Sequence, residues 1–75
     1  MQAQELEFIR NSIHSYLQAR PNSADTAEGI AHFWISWPGE TLPLSAVMSV
    51  LENMRHAGEL ESVTVGGRTI WRVSR

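Results

Sequence analysis

The 75 residues contain no cysteine, which removes disulfide staples, zinc–thiolate sites and thiol nucleophiles together. Lysine is missing as well: all six cations are arginine. That side chain suits bidentate contact with phosphate or base edges, and it is also what a GC-rich coding bias would leave behind. No apolar run approaches the length of a membrane span, and residues 1–7 are acidic where a secretory signal would be basic; a soluble cytoplasmic chain is expected. Repeats, low-complexity tracts and linkers long enough to split the chain are also missing, so one domain over residues 1–75 is expected. A chain this short supports one modest core and no deep enclosed substrate pocket. No enzymatic activity is expected, because Ser12, Ser15 and Ser62 have no base and orienting acid set by sequence to activate them. His14, His32 and His56 fall on different segments without ligand spacing, so no metal site and no cofactor is expected.

What the chain does hold is aromatic bulk and an uneven charge. Three Trp, two Phe and one Tyr must supply by packing the stability that staples cannot. The formal net charge is −2, yet all eight acidic residues lie within residues 1–61, and residues 62–75 carry Arg68, Arg72 and Arg75 with no acid. A local basic footprint matters more for phosphate contact than the total.

Apolar residues at Leu6, Ile9, Ile13, Tyr16 and Leu17 recur at the helical period and predict a first helix over residues 3–19, stopped by Arg20-Pro21. Phe8 widens that stripe and should touch a second element. In "NSADTAEGIAHFWISW", Asp25 and Glu28 form a capping-box pattern for a second helix over residues 25–35, with Ala27, Ile30, Ala31 and Trp34 on its apolar face. An interior Gly29 weakens that helix by roughly 1 kcal/mol or allows a neighbouring helix to come close. Pro38-Gly39 breaks the chain, and a third helix over residues 43–57 follows, with Pro43 in its first turn and Gly58 as its stop. Leu44, Val47, Val50, Leu51, Met54 and Ala57 line one side of it. Gly66-Gly67 between "ELESVTV" and "RTIWRV" then signals a two-residue type I′ hairpin. The turn sets Val65 opposite Arg68, Val63 opposite Ile70 and Glu61 opposite Arg72. Leu60, Trp71 and Val73 share the core face; Val63, Val65 and Ile70 share the other, to pack beside helix one or meet a partner. Trp34 and Trp71 are expected in the core, while Trp37 either closes over it or anchors a partner.

This helix, helix, helix, hairpin order, with "SAVMSVLENMRHAGELESVTVGGRTIWRV", resembles the winged helix-turn-helix family. The pattern carrying the likeness is Val47, Leu51, Met54, Ala57, Gly58 and Leu60, with Glu59 as one residue inserted between Gly58 and Leu60. The resemblance implies an α+β fold of three helices and a two-stranded antiparallel wing. It also implies a small DNA-binding transcriptional regulator, whose third helix enters the major groove while the wing reaches the backbone. By position, the DNA-contacting residues would be Ser45, Ala46, Met48, Ser49 and Glu52 on helix three, with Arg68 and Arg72 on the wing. It further implies a homodimer formed through helix one, including Phe8 and Tyr16. The residues themselves leave a second reading open. Helix three has no Arg, Lys, Asn or Gln in its first two turns, Glu40 lies just ahead of it, Glu52 lies on its outward face, and Glu61 can pair with Arg72. In that reading the domain is a protein-interaction or assembly module, with Met48, Val63 or Trp37 in contact with a protein partner.

Overall fold

The computed structural model describes residues 3–37 and 42–74; the Pro38-Gly39 break, Glu40 and Arg75 lie outside them. Helix α1 spans Ala3–Ala19. A two-residue strand β1, Ala24–Asp25, follows, then a short helix α2, Ala27–Gly29, which continues as a π-helical turn over Ile30–Trp34. Helix α3 is Leu44–His56, and strands β2, Leu60–Val65, and β3, Arg68–Val73, form the hairpin. The three strands make one antiparallel sheet in the order β1-β3-β2. Three helical segments followed by an antiparallel wing constitute the winged helix-turn-helix architecture.

The hairpin has the register set by its turn: Val65 pairs with Arg68, Val63 with Ile70 and Glu61 with Arg72. Gly66 and Gly67 both have positive φ, 56° and 78°, the conformation a type I′ turn demands at its two central positions. Side chains alternate across the strands, so Leu60 and Trp71 are buried in the core and Val73 packs against it.

Strand β1 is absent from the sequence-based expectation. It pairs Asp25 with Trp71 and Ala24 with Arg72, and two residues are too few to show the alternation by which strands are read. Its presence displaces the start of the second helix. The cap is Thr26, not Asp25: Thr26 Oγ1 accepts from the Gly29 amide at 3.2 Å, and Glu28 is exposed. Asp25 Oδ1 instead accepts from the Thr26 amide at 2.8 Å. The expected helix over residues 25–35 is thus a three-residue α-helix that widens into a π turn, and Ile35 is already extended at φ −119°, ψ 122°. Widening a helix by one residue per turn re-aims the side chains that follow. Here Ile30, Trp34 and Ile35 are all buried while Phe33 is 77% exposed.

Helix α3 lays Ala46, Val47, Val50, Leu51 and Met54 into the core beside Ile9, Ile13 and Leu17 of α1. Pro43 serves as the residue before its first turn, its carbonyl accepting from Ala46 and Val47. Leu44 and Ala57, expected on the inner side, are exposed. At the other end Gly58 has φ 81°; its amide donates to Arg55 O at 3.0 Å and the Glu59 amide to Met54 O at 2.9 Å. These two bonds are the Schellman pattern, which ends the helix and turns the chain into β2.

Aromatic rings join the helices. Tyr16 stacks on Trp34 with centroids 4.6 Å apart and planes 9° off parallel, and Phe8 meets Trp37 edge-on at 5.6 Å. Phe8 therefore touches the irregular segment after the π turn, where its position suggested a second element, and Trp37 closes against the core edge.

Candidate functional site

The residues singled out on helix three separate into three environments. Ser45 and Ser49 are exposed, and with Asn53 and His56 they form a polar stripe along α3. Met48 and Glu52 are half-buried, Met48 packing against the core. Ala46 is 1% exposed, so its expected place on the outward recognition surface is corrected: it lies in one i, i+4, i+8 row with the buried Val50 and Met54. A small side chain in a run otherwise read as polar concealed that row.

Between α3, the start of α2 and the inner side of the wing lies an open groove of about 800 Å³. Leu44, Met48 and Trp71 give it apolar surface, and Ser62, Thr64 and Thr69 contribute hydroxyls from the sheet. Glu28 and Glu52 stand against Arg55 and Arg68 along it. The groove therefore carries two charges of each sign. A surface shaped to follow a phosphate backbone would be one-signed.

The arginines show why. Arg55 Nε donates to Glu52 Oε1 at 3.1 Å, and its Nη2 meets the same oxygen. Arg72 Nε donates to Glu61 Oε2 at 2.5 Å, which is the cross-strand pairing the register allowed. Arg10 Nη2 donates to Glu59 Oε2 at 2.5 Å, and the Arg20 guanidinium lies 5.0 Å from the Tyr16 ring centre. Among the described residues Arg68, exposed at the wing tip, is the arginine without a carboxylate or ring partner. By alternation Arg72 shares the outer face of the sheet with Val63, Val65 and Ile70, while Arg68, at the tip beside Gly67, also borders the groove.

Glu59 was legible only as an extra residue in the pattern. In the fold it joins α1 to the hairpin root, holding Arg10 and, through Oε1, the His14 Nε2. The His14 hydrogen bond, and then the Arg10 charge, keep the Glu59 carboxyl below its ordinary 4.5, against partial desolvation that raises it. Spacings of 49 and 45 residues leave no local signal for such a cluster.

Among the described residues no group of three or more His, Asp or Glu side chains is placed to hold a metal ion. No described helix is long and apolar enough to cross a membrane. The class defined by fold and groove is a winged-helix module. No family model matches the chain, and neither the curated proteins nor the solved structures yield a match.

Proposed function

We propose that this chain is a single winged-helix unit that works as a protein-interaction module, with the wing and the α3 groove as its contact surfaces. The observation that carries this reading is the pairing of Arg55 with Glu52 and of Arg72 with Glu61. These pairs interrupt the positive line that would otherwise run from α3 to the wing. Phosphate binding by either arginine would have to displace a carboxylate already in place, and the acid would remain beside the DNA backbone. Proteins that neutralise several phosphates lose affinity steeply with salt, at a slope of about −0.9 per contact. Arg68 alone supplies a slope of about −1 per chain. Protein partners need no such charge: Leu44 is an exposed apolar residue on the α3 wall, and the hydroxyls of Ser62, Thr64 and Thr69 on the wing wall offer hydrogen bonds without a net field.

A DNA-binding transcriptional regulator is the second reading, favoured by Arg68 at the wing tip and by the polar stripe of Ser45 and Ser49. Titration of the labelled chain with pooled short duplexes, at low and moderate salt, separates the two. The expected result is that the Ser45, Ser49 and Arg68 amides do not shift. A Glu52→Gln/Glu61→Gln variant, freed of the two carboxylates, then gains weak salt-sensitive binding. Helix-three and wing amides of the unaltered chain shifting together, with a steep salt loss and weakening by Arg68→Ala, would overturn the protein-binding reading.

A further inference from the structure

The sheet order β1-β3-β2 leaves β2 at an edge. In a hairpin closed by a two-residue turn, the residues flanking the turn exchange both hydrogen bonds and the pairs then alternate. Val65–Arg68, Val63–Ile70 and Glu61–Arg72 are accordingly the bonded pairs. The next in the series is Glu59–Ser74, and there the Ser74 amide donates to Glu59 O at 3.2 Å. Ser62 and Thr64 must therefore direct their N–H and C=O away from β3. No backbone group elsewhere among the described residues bonds to them.

Natural edge strands are usually blunted by lysine, proline, a bulge or a covering element. The stretch Ser62–Val65 has no charged residue and no proline, and its pairing with β3 runs without a bulge. Val65 is 61% exposed. This is an edge competent to pair.

We infer that β2 pairs antiparallel with β2 of a second copy of the chain, about a two-fold axis at Thr64. The strand's own sequence selects this occupant. An axis at Thr64 makes the Thr64 pair a hydrogen-bonded one. It sets Val63 opposite the partner's Val65 and Val65 opposite the partner's Val63, so four valines become contiguous on the outer face. The same register brings Glu61 alongside the partner's wing tip and hence the partner's Arg68. Glu61 holds Arg72 through Oε2, which leaves Oε1 to face that second guanidinium. The charge without a carboxylate in one copy thus finds one in the other. The two wing tips overlap while the helical bodies extend in opposite directions, so the contact is small and the association concentration-dependent.

The inference rests on the wing being a protein-binding surface. Its test contains no DNA, so its failure is distinct from an outcome of the duplex titration. Sedimentation of the full chain from micromolar to millimolar concentration should show a monomer–dimer equilibrium. Mixed labelled and unlabelled chains should give intermolecular contacts between the Val63 and Val65 methyls. Thr64 is exposed, so Thr64→Glu and Thr64→Arg leave the fold intact, which circular dichroism checks. Each sets like charges opposite one another at the axis and should weaken self-association by about tenfold or more. An equimolar mixture of the two variants should associate again. A chain that stays monomeric at millimolar concentration overturns the inference. So does self-association untouched by both substitutions, which would place the contact elsewhere, helix one included.

Discussion

Replacing Gly29 by alanine isolates a contact that backbone conformation does not reveal. Gly29 has φ −62° and ψ −41°, an ordinary helical pair of angles, so the substitution should stabilise the helix by about 1 kcal/mol through propensity alone. A Cβ there, however, would stand 2.1 Å from Asp25 Oδ1 and 2.3 Å from both Cγ and Oδ2. The carboxylate lies over the glycine and must swing away, giving up its bond from the Thr26 amide. A hydrogen bond to a charged group is worth about 1.5–3 kcal/mol, and leaving the helix start also forfeits part of the favourable dipole interaction. Gly29→Ala is therefore expected to destabilise by about 0.5–2 kcal/mol, the difference between that loss and the propensity gain. In an Asp25→Ala background the obstacle is gone, and the same change should stabilise by about 1 kcal/mol. Urea unfolding followed by tryptophan fluorescence on the four members of the cycle reads this directly. Equal stabilisation by Gly29→Ala in both backgrounds would refute the reasoning.

Three further outcomes follow from the packing and the charge cluster. Glu59 has a folded-state pKa below its ordinary 4.5, so its contribution is present above the unfolded value and is lost as pH falls through the folded one. Glu59→Gln should flatten that part of the stability profile between pH 4.5 and lower values, measured by thermal melts across acid pH, and added salt should shrink the difference. Leu51→Ala, at a fully buried position, should cost about 2–5 kcal/mol in chemical denaturation. Gly58→Ala meets no neighbouring atom but must hold φ 81°, so its loss of about 1–2 kcal/mol in the same assay reports backbone strain alone.

How far the sequence could be read depends on whether the determinant was local. Helix α1 and the hairpin register came through because a helical apolar stripe and a Gly-Gly turn are each complete within a short window. The second helix did not, because its geometry is set from outside. Ala24 and Asp25 are drawn into a strand by Arg72 and Trp71, which shifts the cap to Thr26, and a π turn has no residue signature of its own. Ala46 was misplaced because alanine is silent in a polarity pattern and only its row with Val50 and Met54 betrays it. On the candidate site, residue types were legible and charge state was not. The cross-strand Glu61–Arg72 pair followed from register, but the neutrality of the groove depends on how Glu28 of α2 and Glu52 of α3 converge with Arg55 and Arg68.

The Glu59 cluster bears on the order of events when the chain opens. Arg10 and Glu59 are 49 residues apart, and their bridge can close only after α1 has docked on α3 and the Schellman turn has set the hairpin root. A contact completed that late belongs on the native side of the folding barrier. Glu59→Gln should then hasten unfolding and leave the refolding rate almost unchanged, as stopped-flow chevrons would register. The residue that interrupts the helix-to-wing motif would thus act as a latch on the lifetime of the native state.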